Sequence, residues 1–208
     1  MISILLADDH AIVRRGMKEV LQEALPDVRI VEAESAAETM DAARAGAFDL
    51  VILDVSLPGR SGLDVLKDIK AAHPKLPVLM LSMHPEEQFA VRALRAGAAG
   101  YVTKQSPPEE MLGAVRKALA GGRYVSASLA ERLATEVGGD TKKEPHELLS
   151  DREFQVLMLI ASGHSLTEIG AKLSVSVQTV STYRTRLLEK MALTSNAELT
   201  QYVRLHGL

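Results

Sequence analysis

One alternation limits what this chain can fold into. Five short apolar runs, Ile2–Ala7, Val28–Val31, Leu50–Leu53, Val78–Leu81 and Tyr101–Val102, are separated by longer amphipathic stretches. The runs are mostly continuous rather than alternating in polarity, which suits strands buried on both faces. Helical spacing predicts helices near 12–24, 36–45, 62–72, 86–96 and 107–120. Ser35-Ala36-Ala37-Glu38 and Ser106-Pro107-Pro108-Glu109 read as capping boxes, the second with Pro at the first helical position. Strands that alternate with helices must run parallel, because parallel neighbours need crossovers. The expectation is an α/β domain with a doubly wound, five-stranded parallel sheet over residues 1–120.

A chain of 208 residues is about two small domains long. The remainder reads differently. Residues 148–208 hold no convincing strand, and their net charge is +1, against −3 for 1–120 and −1 for 121–147. Gly138-Gly139-Asp140-Thr141-Lys142-Lys143-Glu144-Pro145 reads as a solvated linker. Ser-x-x-Glu boxes at Ser150, Ser165 and Ser195, with Ser176 as a further cap, predict helices near 151–162, 166–173, 177–191 and 196–206. Ser128–Glu131 opens another near 128–136. The division is therefore 1–120, a linker with a short helix over 121–147, and a small all-α domain over 148–208.

With 47% hydrophobic and 25% charged residues, the chain is neither disordered, collagen-like nor a simple coiled coil. Cysteine is absent, which excludes a disulfide framework and a thiolate metal site and fits a reducing compartment. No apolar run approaches the roughly 18 residues of a membrane span. Met1 is followed by no basic segment and soon by Asp8 and Asp9, unlike a signal peptide. A cytoplasmic protein with no membrane partner is expected.

The ends of the apolar runs carry the chemistry. Asp8 and Asp9 follow the first, Asp54 the third, Ser82 the fourth, and Lys104 the fifth after Thr103. In an open parallel sheet the carboxyl ends of the strands face one crevice. Three carboxylates gathered there repel one another unless a cation sits among them. Mg²⁺ suits such oxygen ligands, and a carboxylate can act as nucleophile through an aspartyl-phosphate. Each residue alone also has a plain reading: Asp8-Asp9 as a loop, Asp54 as the opening of a turn, Lys104 as a solvated cation. The six histidines are scattered and none pairs at metal-ligand spacing.

In the carboxyl half, Phe154, Leu157, Ile160 and Ala161 form one apolar face, and Ile169, Ala171 and Leu173 the next. Ser174-Val175-Ser176 makes a tight turn before a longer helix with a polar face. A short helix, a tight turn and a longer helix match a helix-turn-helix, whose second helix enters the major groove. The residues alone leave open a helical bundle used for dimerisation.

Residues 1–120 resemble the receiver domain of two-component response regulators, which is flavodoxin-like. The resemblance rests on Asp8-Asp9, Leu53-Asp54-Val55-Ser56-Leu57-Pro58-Gly59, Leu81-Ser82 and Gly100-Tyr101-Val102-Thr103-Lys104. It implies Asp54 as phospho-acceptor, and Asp8, Asp9, Asp54 and the Ser56 carbonyl as Mg²⁺ ligands. It also implies Lys104 as the cation on the phosphoryl group, with Ser82 and Tyr101 as the switch pair. Gln105 stands where many receivers have Pro, so a cis bond there is not implied.

Residues 148–208 resemble the LuxR-type output domain, in Leu149-Ser150-Asp151-Arg152-Glu153, Ala161-Ser162-Gly163-His164-Ser165, Glu168-Ile169-Gly170, Thr179-Val180 and Lys190-Met191. Together the two resemblances are those of the NarL/FixJ family. They imply base contacts at Ser181, Thr182 and Thr185, with Gln178 and Arg184 open as further ones. They imply phosphate contacts at Ser150, Ser165, Thr179, Arg186 and Lys190. The implied partners are a sensor histidine kinase, a double-stranded DNA operator and a second copy upon phosphorylation, with RNA polymerase left open. Ser181 and Tyr183 stand where the family often has Lys and His, so the operator sequence does not carry over. A phosphatase with an Asp nucleophile is the rival enzyme reading. It needs a second acid two residues later as proton donor, and that place is Ser56. A constitutive DNA binder with a retired receiver is disfavoured by the complete set Asp8, Asp9, Asp54, Ser82 and Lys104.

Overall fold

A computed structural model describes residues 1–131 and 144–208, Glu87 by its backbone alone. The part of the 128–136 helix beyond Glu131, and the linker residues before Glu144, lie outside the described residues. The chain forms two compact units.

The first unit alternates β1 (Ile2–Ala7), α1 (Ala11–Ala24), β2 (Val28–Ala33), α2 (Ala36–Ala45), β3 (Leu50–Asp54), α3 (Gly62–Ala72), β4 (Val78–Ser82), α4 (Glu86–Arg95), β5 (Gly100–Thr103) and α5 (Pro108–Leu119). All neighbours pair in parallel, in the order β2-β1-β3-β4-β5. Ile4, Leu6, Leu50, Ile52, Leu79 and Leu81 face one side of the sheet, where they pack with Leu21 of α1 and Met111, Ala114 and Val115 of α5. The alternate residues Leu5, Val51, Leu53 and Met80 are equally buried, on the opposite face. Both faces being covered is why the strands read as unbroken apolar runs.

Chain direction across the sheet reverses between β1 and β3, and a crevice opens at the carboxyl ends of those two strands. The register aligns the ends: Asp54 stands beside Leu81, and Ser82 beside Thr103. The Asp8 N–H donates to the Ala33 carbonyl at 3.1 Å, so Asp8 continues the ladder one residue past β1.

Several local expectations differ from the structure. Strand β2 runs on to Ala33, because Glu32 and Ala33 pair with Leu6 and Ala7 through the backbone whatever their side chains. Ser106 does not cap α5. The N-cap is Pro107, in an extended conformation, and Pro108 is the first helical residue. A residue before proline is driven out of the helical region, which moves the cap one place on. The Ser106 hydroxyl instead bonds the Thr103 hydroxyl at 2.9 Å, closing the turn after β5. The helical turn after Val125 is opened by Ser126, whose hydroxyl accepts from the Leu129 N–H at 3.1 Å, and not by Ser128. Just before it, Tyr124 lies beside Gly100 in a parallel bridge, its N–H donating to the Ala99 carbonyl at 2.7 Å.

The second unit holds a 3-10 turn (Pro145–Leu148) and four helices, α6 (Asp151–Ala161), α7 (Leu166–Leu173), α8 (Val177–Met191) and α9 (Asn196–Leu205). Ser150 and Ser165 form reciprocal capping boxes with Glu153 and Glu168. Ser195 caps α9, but the Glu198 carboxylate turns back to the Thr194 N–H. Between α7 and α8 the chain turns through Ser174, a non-glycine residue at φ 52°. That turn presses its Val175 carbonyl to 2.9 Å from where a Cβ on Gly170 would stand. Gly170 thus lets α7 and the turn close up. Ala171, expected inward, is exposed, two positions from the buried Ile169 and Leu173 and on the other side of α7.

Gly62 opens α3 directly beneath the strand end that carries Asp54. A Cβ there would stand 1.9 Å from the Asp54 carbonyl oxygen, with backbone on both sides of the clash. Gly62→Ala is therefore expected to lower the unfolding free energy by about 2 kcal/mol or more. Urea denaturation checks it, and an unchanged midpoint would mean that α3 slides away without penalty.

Candidate functional site

The crevice gathers the acidic residues as the strand ends dictate. Asp8 and Asp54 are buried, and each places a carboxylate oxygen against the Lys104 ammonium, at 2.7 and 2.8 Å. The second Asp54 oxygen accepts the Ser56 N–H at 3.1 Å. The other Asp8 oxygen accepts the His10 N–H at 2.8 Å. Asp9 lies partly exposed at the rim, its Oδ1 2.6 Å from His10 Nδ1. Ligand atoms of Asp8, Asp9, His10 and Asp54 all lie within 4.8 Å of one another.

One lysine serves two carboxylates, with a third close by. Burial raises the Asp54 carboxyl from its ordinary 3.8 to about 6, and the Asp8 charge pushes the same way against the pull of Lys104. Burial alone would lower Lys104, but Asp54 and Asp8 outweigh it and hold the ammonium charged. The direction that governs the pair is a protonated lysine beside an aspartate reluctant to ionise. The surplus negative charge suits a hard divalent cation with oxygen ligands, so the donor set fits Mg²⁺.

Ser82 and Tyr101 stand one strand further along. Ser82 is buried, and its hydroxyl accepts the His84 N–H at 3.0 Å. Tyr101 is also buried, and its hydroxyl donates to the His84 carbonyl at 2.9 Å. Both side chains thus grip the backbone of one residue in the loop between β4 and α4.

In the second unit, Gln178, Thr182, Thr185 and Arg186 form an exposed stripe along α8, flanked by the half-buried Ser181. The Thr182 and Thr185 hydroxyls donate to the Gln178 and Ser181 carbonyls at 3.0 and 3.1 Å. Other expected contacts are already engaged within the unit. Arg184 Nε donates to Asn196 Oδ1 at 2.6 Å, and Lys190 Nζ donates to Glu153 Oε2 at 2.6 Å. Burial would raise the Glu153 carboxyl, but Lys190 and Ser150 hold it below the usual range. The hydroxyls of Ser150 and Ser165 cap their helices, and the Thr179 hydroxyl bonds that of Ser176 at 2.8 Å. On α9, Leu199 and Val203 are buried and Tyr202 bonds His146 at 2.9 Å, which leaves Leu205 as the exposed apolar residue of that face.

Sequence reasoning passed over two residues here. His10 was grouped with scattered histidines, although it directly follows Asp8-Asp9. Arg14, four residues further, is buried and donates to the Asp8 carbonyl. Its place one turn into α1 was the available signal.

The Asp54 carboxyl generates a pH dependence. Because its folded value lies above its unfolded one, its contribution is fully present below pH 4 and is lost as pH rises through about 6. With metal chelated, Asp54→Asn is expected to raise the thermal midpoint relative to wild type at pH 7 and to differ little at pH 4. A midpoint difference that stays constant with pH would contradict it.

Comparison with known proteins agrees with this geometry. Residues 4–116 match the response regulator receiver domain, and residues 147–203 match the bacterial regulatory proteins of the luxR family. The chain is 36% identical to the response regulator GacA of Pseudomonas aeruginosa, over all of this chain and 98% of that one. It is 33% identical to the response regulator UvrY of Escherichia coli K12, over all of this chain and 96% of that one. Among solved structures, RcsB from Salmonella enterica serovar Typhimurium, bound to promoter rprA in the presence of the phosphomimetic BeF3-, superposes with a TM-score of 0.66. Identity is 28%, over 98% of both chains. The chain belongs to the NarL/FixJ family of response regulators, with a receiver domain followed by a LuxR-type DNA-binding domain.

Proposed function

We propose that this response regulator takes a phosphoryl group on Asp54 from a sensor histidine kinase, and that the modification controls binding to paired DNA half-sites. The Asp8–Lys104–Asp54 cluster carries the reading. A carboxylate oxygen of Asp54 attacks phosphorus, the kinase histidine leaves with its electron pair, and an acyl phosphate forms on Asp54. Water later cleaves it to inorganic phosphate and the carboxylate. Lys104 pairs with the phosphoryl oxygens. Mg²⁺, held by Asp8, Asp9, Asp54 and the Ser56 carbonyl, supplies further charge neutralisation when bound.

The receiver occupies residues 1–120, a connector 121–147 and the output domain 148–208. Gln178, Ser181, Thr182 and Thr185 face base edges, and Arg186 faces a phosphate. Thr179, Ser150 and Ser165 stand near the backbone through helix ends. Arg184 and Lys190 already donate to Asn196 and Glu153, and each keeps further N–H donors to offer DNA. A dimer forms on phosphorylation, with half-sites about one helical turn apart. RNA polymerase is the natural target of a protein so placed at a promoter. The RcsB structure bound to promoter rprA supports the DNA-binding part of this reading. No helix among the described residues is long and apolar enough to cross a membrane, and a cytoplasmic location suits a DNA-binding partner of a kinase.

A route from Ser82 to the connector runs through His84 and along the chain to Glu86. His84, held by Ser82 and Tyr101, lies two residues before Glu86 at the start of α4. Glu86 Oε2 in turn accepts the hydroxyls of Ser126 and Ser128, at 2.5 and 3.2 Å. A dianionic phosphate that draws the Ser82 hydroxyl takes it from the His84 N–H, and the loop leading into Glu86 is then free to shift.

Intact mass after treatment with acetyl phosphate and Mg²⁺ tests the acceptor. Wild type is expected to gain one phosphoryl group and Asp54→Asn none. Operator affinity should rise on phosphorylation of wild type. For Glu86→Gln it should rise less, with labelling unchanged. Equal labelling of Asp54→Asn overturns the acceptor, and an unaltered gain for Glu86→Gln overturns the route. On the output domain, Arg186→Ala is expected to weaken binding to specific and random DNA alike and to lower the salt slope by about one. A loss confined to the specific operator would make Arg186 a base reader instead.

A further inference from the structure

Arg14 is a cation placed where a cation is least expected, nearly buried on α1 beside a metal-type acidic site. Its guanidinium is spent in three directions. Nη1 donates to the Asp8 carbonyl at 2.7 Å, Nε to Glu32 Oε2 at 3.3 Å, and Nη2 to Glu34 Oε1. Glu32 also accepts Lys18 Nζ at 2.8 Å, and Glu38 lies within reach of the Arg14 charge, so carboxylates surround the guanidinium. The field that Arg14 would otherwise cast on a neighbouring cation is thereby compensated, and its hydrogen bond to Asp8 remains.

That bond acts on a special peptide. The Asp8 carbonyl lies in the same rigid plane as the Asp9 nitrogen and Cα. Fixing this oxygen fixes how Asp9 departs from Asp8, and hence the separation of their two carboxylates. The rest of Asp8 is already held: its N–H by Ala33, one carboxylate oxygen by the His10 N–H and the other by Lys104. The carbonyl was the remaining freedom.

We propose that Arg14 is a positioning residue for the divalent cation: it sets the Asp8–Asp9 peptide so that both carboxylates meet one ion. Lysine cannot replace it, because a point charge does not satisfy a carbonyl and two carboxylates in three fixed directions. Outer-shell partners of metal ligands commonly control affinity by ten- to a hundredfold. The proposal rests on the metal-site reading above.

The test is Mg²⁺ titration by calorimetry on the full chain, with thermal unfolding under chelation as a separate readout. Arg14→Gln and Arg14→Lys are both expected to bind Mg²⁺ about tenfold more weakly or worse. Arg14→Lys, which keeps the charge opposite Glu32 and Glu34, should retain more of the metal-free midpoint than Arg14→Gln. Wild-type Mg²⁺ affinity in a folded Arg14→Lys overturns the proposal whatever its midpoint. Failure of both variants to fold also overturns it, making Arg14 a framework residue. Absence of Mg²⁺ binding by wild type would instead defeat the metal site itself.

Discussion

A single ammonium shared by two buried carboxylates organises the receiver. Lys104 reaches Asp8 and Asp54 at 2.7 and 2.8 Å from the far side of the sheet, so the ends of β1, β3 and β5 are drawn to one point. Buried charges persist only when paired, and here the pairing is deliberately incomplete. Two carboxylates on one cation leave a deficit that favours incoming positive charge and, once that is met, tolerates a phosphoryl group. A fully balanced cluster would be more stable and would bind nothing.

The surrounding fold serves that imbalance. Parallel pairing brings every strand end to the same edge, and the reversal of direction between β1 and β3 leaves room above them. The crossover helices cover both faces, so the site sits on a core that does not yield. Gly62 beneath Asp54 and Arg14 behind Asp8 act on backbone, the first by lacking a Cβ and the second by holding a carbonyl.

Much of this was legible in the residues. Five apolar runs located the five strands, and the polar residues after the first, third, fourth and fifth located the crevice. Reciprocal caps at Ser150 and Ser165 marked helix starts to the residue, because there a Ser and a Glu three apart satisfy each other's backbone. Several misreadings arose where a local pattern was outvoted by its neighbours. Ser106 lost its cap to the steric demand of Pro108, Glu32 joined β2 because its backbone pairs with Leu6, and Ser126 pre-empted Ser128. Side-chain pairing at long range was not legible at all. Nothing local to Lys190 announces Glu153, and nothing local to Arg14 announces Glu32 and Glu34.

The output domain bears on why phosphorylation can control it. A basic DNA-binding domain holds duplex by itself, since affinity grows with each phosphate neutralised. This one directs Arg184 to Asn196 and Lys190 to Glu153, leaving Arg186 on the exposed stripe of α8 among Gln178, Thr182 and Thr185. The stripe is rich in amide and hydroxyl groups, which suit base edges, and holds one cation, which suits a phosphate. If that stripe meets DNA as proposed, one copy has discrimination with little holding power. Logarithmic affinity scales with the number of phosphate contacts, so two copies on one operator square the electrostatic factor that a single copy supplies. On the function proposed above, weak cationic grip in each domain is what would give control to a receiver that brings two copies to one operator.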